Sequence, residues 1–248
     1  MIRGVNDMIG VGLEATDGSI GEIHDVFFDD SDWSVRYYVV DTGKWLPGRR
    51  VLLPPNVIRQ TIPGHVALPV NLTQAQIERS PDVDTERPIS RQAEAAMYTH
   101  YGWTPYWFPL DPAVPVVVEG NAEEREREAT SGYYGGDPHL RSAKEVIGYH
   151  VAAKDGEIGH IEDFLVDDET AKIRYGVIDT VNWLPGKKVL ISPQWIREVK
   201  WAESRVYVDA TQEAVRNSPE YNPATPIDRD YESSLFAHYG HPGRQDGI

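Results

Sequence analysis

Asp17-Gly18-Ser19-Ile20-Gly21-Glu22-Ile23 returns further along the chain as Asp155-Gly156-Glu157-Ile158-Gly159-His160-Ile161. Extending the match outward without a gap sets residues 2–102 against 140–240, with about 38 of the 101 pairs identical. Chance at average composition gives roughly 6%. Trp45-Leu46-Pro47-Gly48 meets Trp183-Leu184-Pro185-Gly186, and His100-Tyr101-Gly102 meets His238-Tyr239-Gly240. The chain therefore divides into a first repeat (2–102), a connector (103–139), a second repeat (140–240) and a short tail (241–248). A fixed-period repeat of this kind is the sequence signature of duplicated folded units.

Each repeat reads as short strands first and helix last. The Asp-Gly dipeptides at 17–18 and 155–156 lie between apolar segments and suit a tight hairpin that needs positive φ. Residues 20–29 and 158–167 are extended, and Asp29-Asp30 and Asp167-Asp168 mark a turn. Residues 35–40 and 173–178 are rich in β-branched and aromatic side chains, as strands are. Further short strands are expected at 50–53 and 188–191, at 57–61 and 195–199, and at 66–70 and 205–208. Strands at intervals near ten residues predict a small antiparallel barrel in each repeat. Thr73-Gln74-Ala75-Gln76 has capping-box spacing and opens a helix that stops before Ser80-Pro81. Thr211 opens the matching helix, where Ala214 loses the box. Second helices are expected over 90–100 and 228–238, with Gly102 and Gly240 placed as C-cap glycines. The expected class is mainly β with helical tails: two small antiparallel β-barrels, each followed by short helices.

Composition narrows the function classes. At 40% hydrophobic and 25% charged the chain is globular in character, which excludes wholesale disorder. Its 39 acidic residues against 24 basic ones give a net charge of -15, which repels phosphate backbones and disfavours direct nucleic-acid binding. With no cysteine, disulfides, thiolate metal sites and cysteine nucleophiles are absent together. Met1-Ile2-Arg3-Gly4-Val5-Asn6-Asp7 has no signal-peptide pattern. Apolar runs such as Val116-Val117-Val118 fall far short of the roughly 20 residues a membrane span needs. A soluble, cytoplasmic protein without membrane insertion is expected. The connector carries about -5, as much as either repeat in a third of the length. It opens with Trp103-Thr104-Pro105-Tyr106-Trp107-Phe108-Pro109, an aromatic cluster costly to leave in water and so expected to pack on a repeat or a partner.

Asp17-Gly-x-Ile-Gly-x-Ile-x-Asp25, the strand ending Tyr37-x-Val-x-Asp41, and Trp45-Leu-Pro-Gly48 followed by Val51-Leu-Leu-Pro-Pro55 together resemble the PRC-barrel family. The second repeat keeps the pattern through Asp155, Gly156, Gly159, Asp163, Asp179, Trp183 and Pro193. The family takes its name from the cytoplasmic domain of the photosynthetic reaction-centre H subunit and includes the C-terminal domain of the ribosome-maturation factor RimM. The resemblance implies a PRC-type β-barrel used as a binding or assembly module without catalytic activity. It leaves the connector uncovered.

Candidate chemistry is sparse. No nucleophile elbow, phosphate loop, dinucleotide fingerprint or zinc helix is present. Asp29 and Asp30, with Asp25 and Asp32 nearby, crowd one turn, and Asp167 and Asp168 crowd its copy. Such carboxylates either hydrogen-bond their own turn or hold a hard cation such as Ca²⁺, and neither copy has the twelve-residue calcium loop. Asp41-Thr42 and Asp179-Thr180 suit turn capping. His100 and His238 occupy equivalent last-turn positions, where an imidazolium suits the helix dipole or a metal shared between repeats. Arg36 and Arg174 sit mid-strand, facing solvent or a neighbouring Asp. Trp45, Trp183, Trp103 and Trp107 are the candidate partner surface, since tryptophan is enriched at binding hot spots. The alternative for Trp45 and Trp183 is that each plugs its own barrel end.

The resulting expectation is a non-catalytic module for protein–protein interaction with no cofactor, forming a homo-oligomer or an intramolecular pseudo-dimer. The second reading is a ribosome- or RNA-linked accessory protein that acts through a basic ribosomal protein.

Overall fold

A computed structural model describes residues 1–59, 67–81, 91–103, 139–180 and 186–240. In chain order the first repeat gives β1 (Ile2–Gly4), α1 (Val5–Met8), β2 (Gly12–Ala15), β3 (Gly18–Asp29), β4 (Val35–Asp41), β5 (Arg50–Leu53), β6 (Leu68–Pro69), α2 (Gln74–Glu78) and α3 (Arg91–Tyr101). The second gives β7 (Leu140–Ser142), α4 (Ala143–Val146), β8 (His150–Ala153), β9 (Gly156–Asp167), β10 (Lys172–Asp179), β11 (Lys188–Ile191), β12 (Ile196–Lys200), β13 (Arg205–Val208), α5 (Gln212–Asn217) and α6 (Arg229–His238).

The chain is mainly β, in two sheets, with the helices as tails. One sheet runs β5-β4-β3-β2-β6 and the other β11-β10-β9-β8-β13-β12. Pairing is antiparallel as expected except at one place in each sheet, where β2 lies parallel to β6 and β8 parallel to β13. The exception follows from the chain path. The last strand of each repeat returns beside its second strand in the same direction, leaving the hairpin edge to β3 or β9.

The hairpins form one residue earlier than the Asp-Gly dipeptides suggest, with Thr16-Asp17 and Lys154-Asp155 as the loops and Gly18 and Gly156 paired opposite Ala15 and Ala153, and each carries the same irregularity. Register slips between Leu13 and Glu14 and between Val151 and Ala152, so Ile20 and Ile158 become the extra bulged residues, both wholly buried. Gly21 and Gly159 follow at positive φ, 124° and 142°. A Cβ at these positions would lie 1.9 Å from the Asp41 carbonyl oxygen and 2.0 Å from that of Asp179. Only glycine lets the neighbouring strand end come this close.

The helical tails cap as their sequences indicate. Thr73 and Gln76 close a capping box, Thr211 accepts from the Ala214 N–H, and Asp228 accepts from the Tyr231 N–H.

The compact units do not coincide with the sequence repeats. One unit, here the first-repeat unit, comprises Gly10–Ser31 and Arg36–Arg141; the other, the second-repeat unit, comprises Met1–Ile9, Asp32–Val35 and Ser142–Ile248. Each takes its opening strand from the other repeat. β1 pairs antiparallel with the end of β9, Arg3 opposite Val166, and β7 pairs with β3. Periodicity and propensity cannot anticipate this trade, because both opening segments carry the anchoring arginine, Arg3 and Arg141, and both receiving turns carry the aspartate it pairs with.

Candidate functional site

Four of the turn aspartates named from the sequence are engaged by arginines and backbone. Asp29 accepts from Arg36 Nη2 at 2.9 Å and from the Ser31 N–H and hydroxyl. Burial works to raise its pKa, but the Ser31 hydrogen bonds and the Arg36 guanidinium outweigh it and hold the carboxyl below its ordinary value. Asp167 repeats the arrangement with the Glu169 N–H at 2.9 Å and Arg174 at 3.2 Å; burial is again outweighed and its pKa is lowered.

Asp30 and Asp168 face the exchanged strands instead. Asp30 Oδ2 accepts from Arg141 Nε at 2.8 Å, and its other oxygen meets His139 Nδ1 at 2.8 Å. Asp168 Oδ2 accepts from Arg3 Nε, also at 2.8 Å. Burial dominates there and lifts the Asp168 pKa despite the guanidinium. Among the described residues no group of three or more acidic or histidine side chains is disposed to hold a metal ion.

Arg36 and Arg174, expected to face solvent or pair with an Asp, do the latter, and Arg174 also reaches Glu232 at 2.7 Å. Beside them Tyr37 donates to the fully buried Glu94 at 2.7 Å, and Tyr175 donates to Glu232 at the same distance. Burial first, and the adjoining carboxylate second for Tyr37, push both phenols far up, so both donate as neutral hydroxyls.

The two equivalent histidines bind backbone. His100 Nε2 donates to the Gln76 carbonyl at 2.9 Å and His238 Nε2 to the Ala214 carbonyl at 2.7 Å, tying the second tail helix of each repeat to the first.

Trp45 stands half-buried on a braced loop. Asp41 accepts from the Gly43 N–H at 2.8 Å, Thr42 Oγ1 lies 2.6 Å from the Leu46 and Arg49 carbonyl oxygens, and the Arg49 guanidinium spans the carbonyls of Glu78 and Ser80. In the second repeat Thr180 donates to the Lys187 carbonyl at 2.7 Å, while Lys187 Nζ reaches the Arg216 and Ser218 carbonyls. Asp41-Thr42 is thus turn chemistry. Trp183 and Trp107 lie outside the described residues. Trp103 does pack on a repeat: it stacks on Tyr101 at 4.1 Å, meets Tyr98 edge-on, and covers the cluster of Phe27, Tyr37, Val39, Leu52, Met97 and Leu140. The aromatic cluster that Trp103 joins does not include Trp45.

Sequence reasoning missed the residues that hold the exchanged segments. In the second-repeat unit the Asn6 N–H donates to Asp163 Oδ1 at 3.1 Å and Asn6 Nδ2 to the Glu162 carbonyl at 3.0 Å. Burial, helped by Asp7 and opposed by the backbone N–H groups of Asn6 and Phe164, raises the Asp163 pKa to about 6. The hairpin tip joins the same unit. The Ile173 N–H donates to the Trp33 carbonyl at 2.8 Å and the Val35 N–H to the Ala171 carbonyl at 2.7 Å, with both Trp33 and Ala171 in the left-handed region at φ 60° and 51°. The one available signal was Trp33, a large aromatic between turn residues.

Comparison with known proteins supplies the family. The PRC-barrel domain model matches residues 5–73 and again 138–215, more than half of the chain. The chain belongs to the PRC-barrel family. A relative in Deinococcus radiodurans, an uncharacterized protein, is 33% identical over 81 residues, covering 32% of this chain and 27% of that protein's length. Among the described residues no helix of this PRC-barrel protein is long and apolar enough to cross a membrane.

Proposed function

We propose that this PRC-barrel protein is a non-catalytic assembly module that binds a protein partner through the Trp-Leu-Pro-Gly loops, with Trp45 and Trp183 as anchors. The observation that supports it most is the bracing of the Trp45 loop. Thr42 and Arg49 fasten both ends of a turn whose tryptophan stays half-exposed. A rigid aromatic on a surface turn loses little conformational entropy on binding, which is how hot-spot residues gain affinity. The pairing of the conspicuous carboxylates with Arg36, Arg141, Arg174 and Arg3 supports a structural role for them. The net charge of -15 favours a basic partner surface, including a basic ribosomal protein.

Affinity capture from the host lysate by the tagged chain, repeated with the Trp45→Ala/Trp183→Ala variant, tests this reading. A partner that survives moderate salt and is lost in the variant supports the module. Ribosomal proteins that leave with salt favour the ribosome-linked form. Identical capture by both chains at equal thermal stability overturns the tryptophan surface.

A further inference from the structure

We infer that the sheet edges at the end of β3 and at residues 165–167 of β9 are docking grooves for the opening strand of a second copy of this chain. The proposal starts from the equivalence of the two exchanged segments. The Asp168 N–H donates to the Met1 carbonyl at 2.9 Å, and the Asp30 N–H to the His139 carbonyl at 2.8 Å. Arg3 binds Asp168 and Arg141 binds Asp30 through the same atoms at the same 2.8 Å. Behind each strand a four-residue helix buries two apolar side chains, Val5 and Met8 in one case, Ala143 and Val146 in the other. Ile2-Arg3-Gly4 and Leu140-Arg141-Ser142 therefore share the arginine anchor and the main-chain bond, while Gly4, whose Cβ would lie 2.4 Å from Asp163 Oδ2, fits the first strand to its own groove.

Neither groove is filled by its own repeat. β9 uses one edge for β10 and divides the other between β8, at its start, and β1, at Leu165–Asp167. Without an incoming strand those edge groups would stand unpaired above a buried Phe164, Leu165 and Val166. The pairing is main-chain strand addition with a charged anchor, the mode by which sheet edges take up peptides in trans. What keeps the exchange inside one chain is effective concentration, of the order of millimolar for a tethered segment. When the tethered strand is displaced, the identical segment of another copy satisfies the same N–H groups, the same Asp and the same apolar pocket. Exchange of this kind rests on the assembly reading above and gives it a partner class, another PRC repeat of the same sequence.

The experiment uses two full-length variants. Asp168→Arg repels its own Arg3, and Arg3→Asp cannot anchor to its own Asp168; mixed, the variant strand of one matches the variant groove of the other. Each is unfolded and refolded alone and together at about 100 μM, then sized by mass-resolved chromatography, with one chain tagged. The expected result is a heterodimer at least tenfold enriched in the mixture over either variant alone, and monomer for the chain carrying both changes. The wild-type chain refolded near 1 mM and near 1 μM guards against variants that fail to fold. It should show dimer only at the higher concentration, reverting on dilution. Monomer in the mixture and in concentrated wild type overturns the inference. Loss of a partner in the Trp45→Ala/Trp183→Ala variant would leave the module reading standing even then, and swapped dimers with an unchanged capture would do the reverse.

Discussion

The two units solve one packing problem with different residues. At the position where the second repeat carries Trp195, the first carries Val57. In the second-repeat unit Trp195 is 2% exposed and lies against Phe236 at 5.3 Å and Tyr239 at 4.5 Å. In the first-repeat unit the smaller Val57 is buried, and an indole arrives instead from beyond the repeat, Trp103, stacked on Tyr101 and edge-on to Tyr98. The features that do not differ are the ones backbone geometry demands: the glycine against the Asp carbonyl, the tyrosine–glutamate hydrogen bond, and the histidine tie between tail helices. Duplication thus separates what the fold requires from what only has to fill volume.

The sharpest way to break that separation is at the shared glycines. Gly21→Ala and Gly159→Ala each force a Cβ into a carbonyl oxygen at positive φ, so each should cost more than about 4 kcal/mol in urea denaturation. A loss under about 1 kcal/mol in either would show that the close approach is not required. The aromatic seats should then diverge. Trp195→Ala is expected to cost about 3–5 kcal/mol as a buried cavity, and Trp103→Ala about 2 kcal/mol as a partly buried cover. Equal losses would remove the distinction between core and lid.

The hydroxyl pairs give a smaller contrast. Tyr37→Phe strips the fully buried Glu94 of a 2.7 Å donor and should cost about 2–3 kcal/mol, whereas Tyr175→Phe leaves Arg174 on Glu232 and should cost about 1 kcal/mol. Thermal melts of the two variants side by side would decide it.

The smallest effect concerns Asp163, whose pKa near 6 in the folded chain lies above the ordinary carboxylate value. A raised folded-state pKa means that the folded form holds the proton more tightly. Its contribution is therefore favourable at low pH and is lost as pH rises from about 4 to 6. Asp163→Asn should flatten that part of the stability profile and leave the chain more stable at pH 7 by about 1 kcal/mol after solvent screening. An unchanged slope between pH 4 and 6 would contradict the assignment.

Much of this architecture was legible in the sequence. The Asp-Gly hairpins, the β-branched strand at 35–41 and its copy, and the Thr73, Thr211 and Asp228 caps are local features, decided by propensity and hydrogen bonding within a few residues. The exchange was not legible, and duplication is the reason. When Arg3 and Arg141 are equivalent, and Asp30 and Asp168 equivalent too, the sequence contains each contact twice and cannot say which copy pairs with which. Trp103 escaped for the opposite reason. It has no counterpart in the repeat pattern, so only packing reveals that the first-repeat unit uses it. The aspartates were visible as clusters, but whether an arginine from a distant strand would neutralise each one depended on the topology.

The central claim is that each unit is completed by the other repeat's opening strand, and cross-strand nuclear Overhauser effects test it most directly. The account requires Arg3 backbone protons to sit against those of Val166, and the Asp168 amide to be protected from exchange by the Met1 carbonyl. Effects linking Arg3 to Phe28, the residue of its own repeat equivalent to Val166, would contradict the exchange and return each strand to the sheet of its own repeat.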